Sequence, residues 1–312
     1  MNLSKDQPSE MPCGFDKTAI STPPERKALL VINRRSRRGA DAATAATDLL
    51  GRAGIQVANE GCEDAAAFPA LIRRMAPGID RVVIGGGDGT LNAAIPGLLA
   101  SKLPLGILPL GTANDLARTL GIPLDLEAAA QVIAAEQVRH VDVGQVNGHP
   151  FFNVASIGLG VDLTRALTRD AKRRWGRLGY LIAALRVVRR LRPFYAEIVQ
   201  GSTVHKTRTV HIAVGNGRHY GSGMTVAANA RIDDGQLNLY SLEIASAWKL
   251  LRLLPALRSG KYQDWSEIQT LDCEQIVIRT HRPRSVNTDG EITTRTPALF
   301  RVLPAAVGVF VP

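Results

Sequence analysis

The sequence has little that would tie it to an oxidising compartment, a metal cluster or the interior of a bilayer. Of its 312 residues only three are cysteine, Cys13, Cys62 and Cys273. They are odd in number, far apart and without metal-ligand spacing, which argues against a disulfide framework or a zinc site and for a reducing, cytoplasmic setting. The six histidines, His140, His149, His205, His211, His219 and His281, show no ligand spacing, and no Ser-His-Asp or Cys-His set stands out. No apolar run approaches the ~20 residues that a membrane-crossing helix needs; YLIAALRVV is broken by Arg186. The first 26 residues have no apolar core of the signal-peptide kind and read as a flexible tail ending near Pro23-Pro24. Repeats and low-complexity tracts are missing too.

What is present begins with charge. The net charge is +10, and it is concentrated: Arg165 to Arg192 holds ten Lys/Arg against Asp170 alone. Such a segment favours an anionic partner, whether nucleic acid, membrane headgroups or a phosphorylated substrate.

From Lys27 a regular alternation sets in. The apolar run ALLVIN (28–33) has the character of a strand buried on both faces. A small-residue helix follows, then IQVA, a helix around AAAFPALIRRMA, the strand RVVIG, a helix from Leu91, the strand LPLGILPL and a helix around NDLARTL. This rhythm predicts an α/β domain with a parallel sheet over residues 27–140. Beyond it, HVDVGQVNG, HPFFNVASI, AEIVQG, TRTVHIAVGN, GQLNLYSLEI, CEQIVIRT, ALFRVL and VGVFV are β-rich pieces between turn residues. They predict a mostly β domain over 141–303, interrupted by helical stretches at 162–192 and 246–259.

Within the first part, VVIGGGDGTLNAAI (82–95) runs a strand into four glycines around Asp88. Glycine permits positive φ and lets backbone approach a ligand, and N–H groups at a helix start suit an anion. Asp88 would repel a bare phosphate, so its role is expected through Mg²⁺ or its waters. The plainer alternative is a glycine-rich turn with Asp88 as a helix cap. VINRRSRRG (31–39) offers a second polar turn through Asn33, Ser36 and Gly39. PLGTANDLARTLGIP (109–123) offers a third, where Thr112 or Asn114 could cap a helix and Asp115 would suit its dipole. Loops of this kind gather at the carboxyl edge of a parallel sheet, where ligands bind.

In their order, GGGDGTLN, LPLGTANDLARTLGIP, FFNVASIGLG, ARIDDGQL and VNTDGE resemble the soluble diacylglycerol kinase catalytic-domain family, particularly its bacterial lipid kinases. The resemblance runs from about Ala28 to Pro312. It implies a phosphofructokinase- and NAD kinase-like α/β domain, a C-terminal β-sandwich, and a final segment, 304–312, returning to the first domain. It also implies ATP and Mg²⁺ as cofactors. Gly86, Gly87, Asp88, Gly89, Thr90, Leu91, Asn92 and Thr112 would contact nucleotide, while Asp88 and Asp115 would position Mg²⁺. ARIDDGQL resembles the family's structural metal loop, with Asp234 ligating by side chain and Arg231 and Gln236 by carbonyls; IDDGQLNL also reads as an Asp-Gly hairpin. In VNTDGEITT, Asp289 and Glu291 would carry the chemistry, sharing a face if the strand is extended. The sequence departs from the pattern at Ala93, where Glu is common, at Asn59-Glu60-Gly61, and at Arg37.

The implied activity is transfer of phosphate from ATP to a membrane lipid alcohol, most simply diacylglycerol to phosphatidate. Sphingoid bases or other glycerolipids remain alternatives, and NAD kinase is a rival that shares GGDGT. For an interfacial enzyme, the Arg165–Arg192 segment is suitably built: Trp175, Leu178, Tyr180, Leu181, Leu185 and Val188 interleave with arginines. Each basic residue at an anionic surface contributes about 1 kcal/mol. The same pattern also suits a helix covering a core. A peripheral membrane location follows from the first reading. No nucleic-acid module is recognisable, so nucleic acid is not expected; a homodimer is left open.

Overall fold

The computed structural model describes residues 26–32, 39–59, 64–159, 161, 192–217, 219–220, 224–225, 230–244 and 265–312. Residues 1–25 of the expected N-terminal tail, Asn33 and Ser36 of the first loop, the 162–191 part of the basic segment and the 246–259 helix lie outside the described residues; Arg26, expected as the tail's last residue, is already in the first strand. Among those described, no helix is long and apolar enough to cross a membrane.

The first layer is built from β1 (Arg26–Ile32), α1 (Gly39–Arg52), β2 (Ile55–Asn59), α2 (Phe68–Met75), β3 (Arg81–Gly86), α3 (Asp88–Ser101) and β4 (Leu105–Pro109). The strands pair in parallel in the order β2-β1-β3-β4. Ala28–Ile32 and Val82–Ile84 are buried, as continuous apolar runs require when helices cover both faces of a sheet. From β1 the chain moves outward to β2, whereas from β3 it moves the other way to β4. That reversal opens a crevice at the carboxyl ends of β1 and β3, where open α/β sheets bind ligands. The glycine run stands there. Its helix starts at Asp88 rather than Leu91, because Gly87 is the N-cap.

Two further helices follow, α4 (Asp115–Thr119) and α5 (Leu126–Ala134). The second was not anticipated. Asp125 caps it by accepting from the Ala128 amide at 3.0 Å, and Ala129, Ala130 and Ile133 turn to the core.

Next come β5 (Val138–Val146), β6 (His149–Phe151), β7 (Val154–Gly158), β8 (Phe194–Gln200), β9 (Thr203–Thr209), β10 (His211–Gly215), β11 (His219–Tyr220) and β12 (Met224–Thr225). They are followed by β13 (Leu237–Leu242), β14 (Ile268–Cys273), β15 (Gln275–Thr280), β16 (Ser285–Thr288), β17 (Glu291–Arg295) and β18 (Ala298–Phe310). One antiparallel sheet has the order β14-β13-β10-β7-β16-β17. The other continues the first sheet beyond β4 as β18-β15-β8-β9, with β5 against β18 and β6 against β5. Phe151, Ile157, Phe194, Ile212, Val286 and Phe300 form the apolar filling of this β part. The fold is therefore an α/β layer with a parallel sheet, followed by a β-sandwich, as the sequence predicts.

Several pieces are divided differently from the expectation. TRTVHIAVGN is two strands in two different sheets, parted at Val210, and HPFFNVASI is likewise two strands, parted at Phe152-Asn153. VNTDGEITT is a hairpin, not one extended strand. ALFRVL and VGVFV are a single strand, β18. Its first half pairs with β15, its length with β5, and Val309 lies in parallel register with Leu105 of β4.

Candidate active site

The four glycines act first on each other's loops. None of Gly85, Gly86, Gly87 and Gly89 has a positive φ, so the expected left-handed turn is not how they are used. What they lack is a Cβ where the backbone is crowded. A Cβ on Gly86 would lie 2.6 Å from the Thr90 side chain. One on Gly111 would lie 2.4 Å from the Cα of Gly87. The loops after β3 and β4 thus press backbone to backbone. Gly89 differs: it faces open space, at the first turn of α3, where amide N–H groups point outward.

Asp88 joins the same two loops. Its Oδ2 accepts from the Asp115 amide at 3.1 Å and its Oδ1 from the Leu116 amide at 3.0 Å. It therefore caps α4 from another segment, a role the sequence assigned to Thr112 or Asn114. Asn114 instead adopts a left-handed conformation, φ 52°, and exchanges two hydrogen bonds with Gly111, each 3.0 Å. Thr112 is exposed and Asp115 is buried. Leu91 belongs to the core, so its side chain is not a nucleotide contact. Asn92, one turn after Asp88, has a buried Oδ1 with no hydrogen-bond partner among the described residues.

Asp289 reaches this corner from the sandwich. Asp289 and Gly290 both have positive φ, 47° and 97°, and Thr288 pairs with Glu291 across the turn. Asp-Gly is favoured at this two-residue hairpin turn for that conformation. The turn directs the two acids apart, which corrects the expectation that they share a face. Glu291 is exposed, while the Asp289 carboxylate accepts from the amides of Phe152 at 2.8 Å, Asn153 at 3.2 Å and Val154 at 2.9 Å. The break between β6 and β7 supplies these donors. Burial pushes the Asp289 carboxyl up to about 7 and nearby Asp88 adds to the rise, with the three amides pulling the other way. Asn153 stands between the two acids: its amide meets Asp289, and its Nδ2 is 3.5 Å from Asp88 Oδ1.

Two family models match the chain in succession: "Diacylglycerol kinase catalytic domain" over residues 27–146 and "YegS C-terminal NAD kinase beta sandwich-like domain" over 155–311. The "Diacylglycerol kinase" of Mycobacterium tuberculosis strain H37Rv is 33% identical over 251 residues, 78% of this chain and 80% of that one. The chain belongs to the diacylglycerol kinase family. A "Probable lipid kinase YegS-like" of Pseudomonas putida is 30% identical over 294 residues, covering 92% of this chain and 96% of its own. The crystal structure of a "putative diacylglycerol kinase" from Bacillus anthracis str. Sterne superposes with a TM-score of 0.79 at 25% identity, covering 92% and 97% of the two chains. The protein is a lipid kinase, a phosphotransferase.

In this lipid kinase the 231–236 loop is not a hairpin, because β13 pairs with β10 and β14 instead. Asp234 Oδ1 accepts from the Gln236 amide at 3.0 Å. Its carboxyl is raised, first by burial, with Asp142 and Asp233 adding repulsion. Asp233 is held by Arg139 and Arg231. A divalent cation would relieve this crowding. Among the described residues no three His, Cys, Asp or Glu side chains converge as a metal cage. A single carboxylate with carbonyls, as expected of Asp234, Arg231 and Gln236, suits a hard ion that keeps waters.

Three residues outside the quoted motifs' assigned roles, Asp142, Asn216 and Asn287, hold the corner together. Asp142 accepts from the amides of Gly235 and Ala305, both at 2.7 Å. Asn216 is fully buried and its Nδ2 donates to the carbonyls of Asp142 at 2.8 Å and Phe152 at 2.9 Å. Asn287 Oδ1 accepts from the Gly290 amide at 3.0 Å, closing the Asp289 turn. Their only sequence signal was polarity inside apolar runs, as in VDVG, VGNG and SVNT. Burial lowers His211 to about 4 and lifts the Cys273 thiol to about 12, so both are uncharged near neutral pH.

Proposed function

We propose that this lipid kinase transfers the γ-phosphoryl group of ATP to the hydroxyl of diacylglycerol, forming phosphatidate, in a Mg²⁺-dependent reaction. The observation that carries this reading is the meeting of Asp289 with Asp88 across Asn153, beside the crevice at the carboxyl edge of the parallel sheet. A carboxyl raised to about 7 is matched to accepting a proton from an alcohol near neutral pH. The open backbone at Gly89 suits the approach of nucleotide phosphates. A role for the turn after β1, with Gly39 at the start of α1, belongs to the same proposal.

The donor set fits Mg²⁺. Asp88 and Asp115 would hold the ion and its waters, and the buried amide oxygens of Asn92 and Asn153, neither hydrogen-bonded among the described residues, are hard donors beside them. One or two carboxylates without a cage is the usual protein share of an ATP-bound Mg²⁺. When bound, the ion neutralises phosphate charge; the chain's own groups orient the acceptor and take its proton. Glu291, exposed beside the turn, is assigned a supporting role at the entrance. The Arg165–Arg192 segment is proposed to bring the site to an anionic membrane surface, where the chain works as a peripheral cytoplasmic enzyme.

The test is phosphate transfer from ATP to diacylglycerol in mixed micelles, beside sphingoid bases, other glycerolipids and NAD. Transfer to diacylglycerol that is lost with EDTA and in Asp289→Asn is the expected result. Transfer confined to another lipid would replace the acceptor, and transfer to NAD alone would overturn the reading.

A further inference from the structure

The amides that hold the Asp289 carboxylate need placing themselves. β6 ends at Phe151 and β7 begins at Val154, so Phe152 and Asn153 belong to neither strand. A peptide plane left to turn there would carry its N–H away from Asp289. The constraint comes from the end of β10. Gly215 is opposite Val154 in the β10–β7 ladder, and Asn216 is the next residue along. Its backbone N–H donates to the Asn153 carbonyl at 2.8 Å. Its Nδ2 donates to the carbonyls of Phe152 at 2.9 Å and of Asp142 at 2.8 Å.

These contacts fall on two consecutive peptide planes. The Phe152 carbonyl shares a rigid plane with the Asn153 N–H, and the Asn153 carbonyl shares one with the Val154 N–H. Both N–H groups donate to the Asp289 carboxylate, at 3.2 Å and 2.9 Å. Asn216 thus holds the oxygen end of each plane while Asp289 is held at the nitrogen end. A peptide oxygen that accepts a hydrogen bond also polarises its own N–H into a stronger donor. The Asp289 amide closes the set by donating to the Val154 carbonyl at 2.9 Å.

The side chain suits this task. A primary amide carries two N–H groups on one nitrogen, enough for two carbonyls; serine has one donor and an ionised aspartate none. Asn216 is fully buried, and its Oδ1 has no hydrogen-bond partner among the described residues, so its donors alone fix its orientation. We propose that Asn216 is a positioning residue for Asp289, aligning the carboxylate for proton acceptance through the 152–153 and 153–154 peptides. The inference rests on the reading of Asp289 as the proton acceptor. Because a fully buried side chain meets no substrate, its loss should fall on kcat and spare the KM for diacylglycerol.

The test makes Asn216→Ser in the full chain, alone and with Asp289→Asn, and follows both kinetics and the Val154 amide. Expected for the single variant is a kcat lowered roughly 10–100-fold, with the KM for diacylglycerol within about twofold of wild type. In the Asp289→Asn background the same change should cost less than about twofold more, because the group it positions is gone. In the NMR spectrum of ¹⁵N-valine protein, the Val154 amide proton, assigned by its loss in Val154→Ile, should move upfield in Asn216→Ser. Ile212→Val, which removes a buried methyl from the same strand, should lower the melting temperature while leaving kcat and that signal in place. If Asn216→Ser is too unstable to assay, Asn216→Asp keeps the volume, and the same readings are taken on it. An unmoved Val154 amide, an undiminished effect in the Asp289→Asn background, or an equal loss of kcat in Ile212→Val would overturn the proposal. A shifted amide with unchanged kcat would uphold the link to Asp289 and count instead against Asp289 as the proton acceptor.

Discussion

Asp289 and Asp88 share a corner but are held by different means, and their substitutions should differ accordingly. Asp289→Asn removes the proposed proton acceptor and should lower turnover by roughly 10²–10⁴-fold. It should leave the fold intact, since Asn-Gly also favours the turn that Asp289 and Gly290 make. In the wild type, kcat/KM should rise as pH passes through about 7, where Asp289 releases its proton, and a pH–rate profile checks this. The same raised pKa acts on stability in the opposite sense. Between the ordinary aspartate range and about 7, the folded state keeps a proton that the unfolded chain has released. Stability should therefore fall with rising pH across that window, and the fall should be absent in Asp289→Asn, as measured by urea unfolding. Asp88→Ala removes the acceptor for two α4 amides and should cost about 0.5–2 kcal/mol as well as activity. Asp88→Asn keeps one acceptor oxygen and should be nearer to wild type in stability while still impaired in turnover.

At the scale of elements, the glycine loop separates packing from ligand approach. Gly111→Ala drives a Cβ against the Gly87 backbone and should destabilise by about 1–3 kcal/mol. Gly89→Ala meets open space in a helix and should leave the melting temperature unchanged or raise it, with up to ~1 kcal/mol of added stability. Its KM for ATP should nevertheless increase, because the methyl group occupies the proposed phosphate approach. Calorimetry beside steady-state kinetics reads both effects. The same elements show what sequence can and cannot reveal. Buried parallel strands such as ALLVI and VVIG were legible because apolar continuity is a local property, and the glycine and Asp-Gly motifs were legible as motifs. Which way the Asp289 turn faces was not, because it depends on free amides at 152–154, far away in sequence. The α4 cap was illegible for the same reason, its carboxylate coming from a helix 27 residues earlier.

For the whole molecule, the candidate site is an edge shared by two layers. Asp88 and Asp115 come from the α/β layer, Asn153 and Asp289 from the sandwich, and Asp142 and Asn216 tie β5 to the 231–236 loop, to β18 and to the break at Phe152. The sequence read two successive parts in the right order but did not see how far a single sheet runs through both. That continuity rests on β18, which pairs with β15, β5 and β4. Chelation of Mg²⁺ should abolish transfer; circular dichroism with EDTA, beside the assay, separates loss of the nucleotide-bound ion from unfolding at the Asp234 loop.

The long strand β18 also sets a timetable. It lies C-terminal to every strand it joins, so during synthesis those strands emerge before their shared partner. Until residues 298–310 leave the ribosome, β4 lacks a neighbour on one side and the apolar places of Phe300, Val307, Val309 and Phe310 are empty. Neither layer can close by itself in the order in which it is made. A nascent chain halted before Ala298 should remain open to protease in both layers, and release of the last strand should protect them together.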